Sequence, residues 1–569
     1  MHGTGSQRGA WLSPAAILLT ALAATTVLLT RGPSCGHDFD FHFVSWLEVA
    51  RAWHAGLLYP HWAQSGNYGA GEPRFIFYPP LTWMLGALLG SLLGWKAAPF
   101  AFTALCLMAA GFAMRHFAME WLQRPAATAA ACLYVASPYL LFVAYERTAY
   151  GELMAAMLLP LLLLAAVRQR PSIPAIALLV ALIWLSNDPS GVMAGYALFW
   201  LAMLRLLAER DWHAGGRIAA GTGIGLALAG FYLVPAAYEE RWVEIGRAIG
   251  PEMRPRDSFL FHHSGQPFHD TVLHTASLLA CVLIGFAIAG LTGSRAWREE
   301  RSLRWLATIV PLVLFVMLPI SAPVWRFAPK LAYLQFPWRW LLVLSPVATL
   351  FFVVALARRL RPLAIAAITL LLCTVSSVLC TRPFHQYCDD EDNVSAQVQL
   401  MQDGTGQEGT DEYTPRFASN SRIYQDMPQV RILSSLNAEL PPSGSEENPE
   451  YAADPAAERK ADIQVSRWDA EHFDIAVETP APGFAVLQLM DYPAWSVWRN
   501  GSALRVKERR DDGLMAIPVA AGNTRIEVRW RTTPDVVAGR ALSLCGLVLL
   551  GAAWYSERRY CASCSAAAA

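Results

Sequence analysis

Apolar runs alternate with short polar joints along most of this chain. A helix that spans a bilayer needs about 20 mostly apolar residues. Runs of that kind lie near 11–30, 97–114, 126–144, 153–167, 173–187, 190–207, 217–236, 272–291, 303–320, 339–357, 362–380 and 536–555, which predicts twelve spans. The first has the look of a signal peptide. Leu28-Leu29-Thr30-Arg31 is a poor small-residue cleavage site, however, so it reads as an uncleaved anchor. Residues 80–94 are apolar but short, and they open on Pro79-Pro80. Segments of that length are often interfacial or re-entrant.

If 80–94 does not cross, alternate joints are dense in arginine. They hold Arg115 and Arg124, Arg168 and Arg170, then Arg205, Arg210 and Arg217, then Arg295, Arg298, Arg301 and Arg304, then Arg358, Arg359 and Arg361, and last Arg558 and Arg559. Short arginine-rich joints are cytoplasmic by the positive-inside rule. The N-terminus is then cytoplasmic as well. The other face collects residues 31–96, 145–152, 187–189, 237–271, 321–338 and 381–535. The expected setting is a membrane crossed many times, with residues 1–380 as the polytopic domain.

Residues 381–535 break the apolar pattern. The stretch 386–462 is polar and reads as loops, whereas 463–532 reads as β. Phe473-Asp474-Ile475-Ala476-Val477-Glu478 and Thr524-Arg525-Ile526-Glu527-Val528-Arg529-Trp530 alternate apolar and polar, the period of a half-buried strand. Asn500-Gly501 is a hairpin signal. A small extracytoplasmic β-sandwich is expected, tethered by helices at both ends, with 536–555 the last span and 556–569 a cytoplasmic tail.

Composition agrees with an α-helical polytopic membrane protein that has some soluble mass. Of its residues 54% are hydrophobic and 16% charged, against about 25% charged in a soluble protein. The 45 basic and 45 acidic residues cancel, so the bilayer is the expected partner and nucleic acid is not. Cys380 and Cys388 flank the start of the soluble region and could pair if that region is extracytoplasmic. Cys561 and Cys564 form a lone CxxC with no second pair nearby, so zinc is not indicated.

Ionisable groups beside lipid are costly, and a cluster of them on one face of a membrane bundle marks a candidate site. The non-arginine face holds several such groups. In His37-Asp38-Phe39-Asp40-Phe41-His42, read either as a strand or as a helix start, Asp38 and His42 share a polar side. Asp38 or Asp40 could act as general base, share a divalent cation with His42, or simply cap the helix. Arg147 offers a fork suited to phosphate; Glu146 and Glu152 could serve it or merely pair with it. Asn187-Asp188-Pro189 reads as a tight turn, and Glu239, Glu240 and Arg241 as snorkelling charge. Gln335-Phe336-Pro337-Trp338-Arg339 puts a guanidinium at a span end, where it needs an acid or a lipid phosphate. His262 and His263 join Asp38, Asp40 and His42 as candidate ligands for a divalent metal cofactor, although their spacing matches no standard ligand pattern.

Several segments carry a family resemblance. A first span, a long loop with an early acidic motif and a Tyr-Pro-Pro-Leu amphipathic helix resemble the C-type (GT-C) superfamily of membrane glycosyltransferases. Gly36-His37-Asp38 with His42, Gly56-Leu57-Leu58-Tyr59-Pro60-His61-Trp62, Phe77-Tyr78-Pro79-Pro80-Leu81, Tyr145-Glu146-Arg147 with Gly151-Glu152, and Leu334-Gln335-Phe336-Pro337-Trp338-Arg339 resemble bacterial membrane proteins labelled 6-pyruvoyl-tetrahydropterin synthase-related. Glu412-Tyr413-Thr414-Pro415 and Tyr492-Pro493-Ala494-Trp495 fit as well. The pterin chemistry in that label finds no counterpart in this chain. The superfamily resemblance implies inverting transfer of a sugar from a polyprenyl-phosphate donor to a glycan, lipid or protein acceptor outside the membrane. It implies Asp38 as the catalytic acid of the first loop, with Asp40 as its rival. By their chemistry, Arg147 and Arg339 are the phosphate candidates, with His42, Glu146, Glu152 and Gln335 as further substrate contacts. The rival reading is a non-catalytic scaffold for polysaccharide or envelope assembly. A transporter is third, because neither internal repeats nor midplane charges are evident.

Overall fold

The computed structural model describes residues 5–568, apart from 252, 417, 426, 438–442, 445–448, 451–455 and 505–506. Those parts of 386–462, and the side chains of Cys561 and Cys564, lie outside the described residues.

The chain is a polytopic helical membrane protein with a β-sheet domain near its C-terminus. The twelve expected spans differ among themselves. Among the described residues nine helices are long and apolar enough to cross: Ser13–Arg31, Ala98–Ala118, Arg124–Tyr145, Tyr150–Val167, Asp188–Ala208, Pro267–Gly293, Pro337–Arg359, Pro362–Thr381 and Pro534–Arg559. Two more are helix pairs with sharp breaks, Trp212–Leu228 with Gly230–Trp242 at 74° and Arg301–Val316 with Pro319–Phe327 at 89°. Pro319 cannot continue the preceding helix, since it lacks the N–H and clashes with the turn before it. The run at 173–187 shortens to Ile173–Trp184, because Asn187 already caps the next helix by accepting from the Ser190 N–H at 3.0 Å. Pro80–Leu93 stays at one end of the bundle. Leu81 N–H donates to the Leu185 carbonyl at 2.9 Å, and Trp95, just beyond the helix, meets Phe43 at 6.0 Å between ring centroids.

The arginine-rich joints meet at the opposite end. Arg168 faces Glu120 (3.6 Å), Arg301 faces Glu209 (2.7 Å), Arg358 faces Glu299 (2.7 Å), and Arg217 pairs with Glu557 of the last span. The two ends of the bundle therefore differ in chemistry as the joints predict.

Among the described residues the β-domain has a two-stranded pair, Ser443–Gly444 with Pro449–Glu450, and two larger antiparallel sheets. One orders Asp462–Asp469, His472–Thr479, Gly522–Trp530, Trp495–Arg499 and Ser502–Ala503; the other orders Val430–Leu433, Gly483–Met490 and Leu514–Val519. Ile475 lies opposite Ile526 and Phe473 opposite Val528, all fully buried, so the period-2 pattern faces the core. Regular elements interrupt the polar stretch 386–462, among them the helix Val394–Asp403, capped by Asn393, and the strand Val430–Leu433.

The disulfide differs from the expected one. Cys388 is bonded to Cys35, 353 residues away, while Cys380 is free and buried in the bundle. Spacing along the chain could not show this, because the first loop and the entry to the β-domain meet only in space. Gln386 strengthens that joint, with its amide N–H on Ser34 Oγ (2.9 Å) and its side chain on Glu146 Oε2 (2.8 Å).

Candidate functional site

One close approach sets the site. The 36–38 segment runs along 145–147, with His37 N–H on the Glu146 carbonyl (3.3 Å) and Asp38 N–H on the Arg147 carbonyl (2.9 Å). A Cβ on Gly36 would stand 2.3 Å from the Glu146 oxygen, so only glycine fits there. Asp38 thereby arrives beside Arg147. It sits at the N-cap of the helix Phe39–His54, yet its side chain makes no capping bond. Its Oδ2 instead accepts from Arg147 Nη2 at 3.2 Å.

Behind this pair lies a buried charge cluster. Arg147 Nη1 donates to Glu152 Oε2 at 2.5 Å, and Tyr139 donates its hydroxyl to Glu152 Oε1 at 2.6 Å. Burial works against the charge on Arg147, but Glu152 and then Asp38 outweigh it and hold its pKa above the ordinary value. Arg339 comes from the start of the helix Pro337–Arg359. Its Nε is 4.0 Å from Glu152 Oε2 and has no hydrogen-bond partner, although the side chain is only 10% exposed. One buried carboxylate therefore serves two guanidiniums. Asp38, 40% exposed, is the only other acid in contact with the cluster among the described residues. Two guanidiniums thus face two acids, of which only Glu152 is buried with them.

All of this opens on a cavity of about 590 Å³. Asp38, His42, Arg147, Glu152, Gln335 and Arg339, all expected to be site residues, line it together. Gln335 donates to the Ala248 carbonyl at 2.7 Å and has φ +62°, and Lys330 has φ +58°. Two left-handed non-glycine residues thus flank the turn Leu331–Leu334, the kind of strain that clusters at functional sites. His42 is buried, with both ring nitrogens 3.3 Å from the Tyr78 hydroxyl. Burial pushes it down to about 4 against the pull of Asp38, so it is neutral at pH 7.

Four other expected site residues do not join this group. Asp40 points away from the cavity, and burial, with Asp392 adding to it, pushes it up to about 6. Glu146 is taken by Gln386 and by His37 at 3.8 Å. His262 is exposed, and His263 pairs with Asp270 at 2.5 Å; neither lines the cavity. The expected metal set is thus not brought together, and beside Asp38 stands a guanidinium rather than a second ligand. Among the described residues only His472, Asp474 and Glu527, in the β-domain, have metal-ligand spacing. Arg529 leans on that group, donating to His472 at 3.3 Å and pairing with Glu527, so a cation already occupies its field.

The cavity also has residues whose role the sequence did not disclose. Asp188 lines it and accepts from the Tyr232 hydroxyl at 2.6 Å, so it does more than end a turn. Lys330, paired with Glu240 at 2.5 Å, was signalled only by a lysine in an otherwise apolar stretch.

Known proteins show likenesses to this chain. A family model described as "6-pyruvoyl-tetrahydropterin synthase related domain; membrane protein" matches residues 75–384. A search of curated proteins finds no match. Among solved structures, the arabinofuranosyltransferase AftD from Mycobacteria is similar at 14% identity and TM-score 0.45, over 93% of this chain and 57% of that one. The archaeal oligosaccharyltransferase AglB from Archaeoglobus fulgidus, solved with an inhibitory peptide and a dolichol-phosphate, is similar at 13% identity and TM-score 0.39, over 72% of this chain and 61% of that one. This chain thus spans about three-fifths of the length of the structures it matches.

Proposed function

We propose a function for this chain, which belongs to the 6-pyruvoyl-tetrahydropterin synthase related family of membrane proteins: it transfers a sugar from a polyprenyl-phosphate donor to an acceptor on the outer face of the bacterial cytoplasmic membrane. The observation that carries this reading is the buried Arg339 guanidinium, its Nε without a hydrogen bond and its one carboxylate contact shared with Arg147, on a cavity whose aqueous side holds Asp38. A buried cation with unsatisfied polar atoms is costly. A phosphate group offers the fork-matched anion that would satisfy it.

The chemistry follows from the placement. The bond between the sugar's anomeric carbon and the phosphate oxygen breaks, and the acceptor oxygen bonds to that carbon from the opposite side. The acceptor's proton passes to Asp38, whose Oδ1 has no hydrogen bond among the described residues. The leaving polyprenyl phosphate gains a negative charge, which Arg339 neutralises. Arg147, spent on Glu152 and Asp38, positions both acids and does not itself hold the donor.

Two features support an outward-facing site. The arginine-rich joints gather at the other end of the bundle. The Cys35–Cys388 disulfide lies at the site end, and disulfides persist in oxidising compartments. A scaffold role would leave Asp38 capping its helix; its side chain makes no capping bond and turns to Arg147 instead, which supports the catalytic reading.

The test is transfer of label from a radiolabelled polyprenyl-phosphate sugar in isolated membranes. Asp38→Asn is expected to lower transfer about 10²-fold or more, the usual worth of a general base. Asp40→Asn is expected to leave it within a few-fold. Equal transfer by wild type and Asp38→Asn would remove Asp38 from the reaction.

A further inference from the structure

Glu412 reaches the same cavity from the segment that leads into the β-domain. The loop carrying it is fastened to the membrane domain. Thr410 donates its N–H and hydroxyl to Glu72 at 2.7 and 3.0 Å, and Glu72, fully buried, pairs with Arg74 at 2.6 Å. Tyr413 stacks on Phe77 with centroids 5.5 Å apart, and the Thr414 carbonyl accepts from Glu244 N–H at 2.9 Å. Asn67 packs so closely on Gly409 that a Cβ there would lie 1.8 Å from its Oδ1. These contacts leave the loop little freedom to shift.

The Glu412 carboxyl has no ion pair and no hydrogen bond to another residue among the described residues. Burial pushes its pKa up, against the pull of its own backbone N–H and of Arg74. Half-buried in the cavity wall on a loop held in place, it keeps acceptor capacity free for a ligand that enters. Among the described residues no group of three metal-ligand side chains includes Glu412. Arg339 is already assigned to the donor's phosphate. What a carboxylate can still take in such a place is hydroxyl groups, since its two oxygens accept from adjacent O–H donors.

We propose that Glu412 is the acceptor-binding carboxylate: it accepts hydrogen bonds from the hydroxyls of a glycan or other polyol acceptor and holds one of them toward Asp38. This rests on the sugar-transfer reading and deepens it, because the β-domain segment then completes a site otherwise built from the membrane domain.

The experiment uses the full chain in native membranes with a radiolabelled polyprenyl-phosphate sugar. It measures label transferred to membrane acceptors and free sugar released by hydrolysis. Binding of polyprenyl phosphate is measured on the purified full chain by native mass spectrometry. Glu412→Gln is expected to lower transfer about tenfold or more, the worth of hydrogen bonds to a charged group. Hydrolysis and lipid binding are expected to stay within about twofold, well inside that loss, and Glu412→Asp to restore part of the transfer. If transfer, hydrolysis and lipid binding fall together, Glu412 is merely structural and the proposal fails. If wild type transfers label and Glu412→Gln does so equally well, the proposal fails alone. If wild type binds polyprenyl phosphate but yields neither product, the sugar-transfer reading fails and takes this role with it.

Discussion

Replacing Arg339 by glutamine is expected to weaken polyprenyl-phosphate binding while leaving the fold as stable as before, or more so. The first half follows from the loss of charge-assisted bonds to phosphate. Each is worth about 1.5–3 kcal/mol, or about ten- to a hundredfold in affinity. The second half follows from the site as it stands. Arg339 is buried with its Nε unpartnered, and the nearest anion is already spent on Arg147. Removing a buried charge that only shares its anion relieves a desolvation cost. Arg339→Lys keeps the charge but loses the fork, so its affinity should fall between the two. Native mass spectrometry with polyprenyl phosphate and thermal unfolding of the same preparation read both quantities. A variant that unfolds early and keeps its affinity would make Arg339 a structural residue.

Glu152→Gln is expected to do the reverse, damaging the fold first. The glutamine still receives the Tyr139 hydroxyl, but Arg147 and Arg339 then face each other without a buried anion between them. Breaking a buried pair by removing one partner costs about 3–5 kcal/mol. A clear fall in the unfolding temperature should follow. The double variant Glu152→Gln with Arg339→Gln should recover a large part of that loss, because the second change removes one of the two repelling cations. Strict additivity of the two single effects would show that the groups do not share one electrostatic unit.

The fold was legible where apolar length decides. Long runs give long helices, and the arginine bias separates the two ends. It was less legible where helices bend. Pro319 marks one break, but the 74° bend at Ala229 follows from packing: Gly230 lies against Gly539 of the last span, a contact no local pattern discloses. The same holds for Cys35 and Cys388.

In the site, ionisable residues stand out against an apolar background, and that contrast marked Asp38, Arg147, Glu152 and Arg339. It could not choose between Asp38 and Asp40, which stand two residues apart. The choice depends on how Gly36 packs on the Glu146 carbonyl, and that turns Asp38 to Arg147 and Asp40 toward Asp392. Glu412 lay in a stretch so rich in acids that one more carried no contrast. Its meaning comes only from the cavity it enters.

The central claim is that Arg339 holds a lipid-borne phosphate while Asp38 faces the incoming acceptor. An experimental structure of the full chain with polyprenyl phosphate bound tests it most directly. The expected result is a phosphate oxygen within hydrogen-bond reach of the Arg339 guanidinium, with Asp38 on the aqueous side of it. A phosphate seated elsewhere, with Arg339 Nε still unpartnered over a vacant cavity, would contradict it.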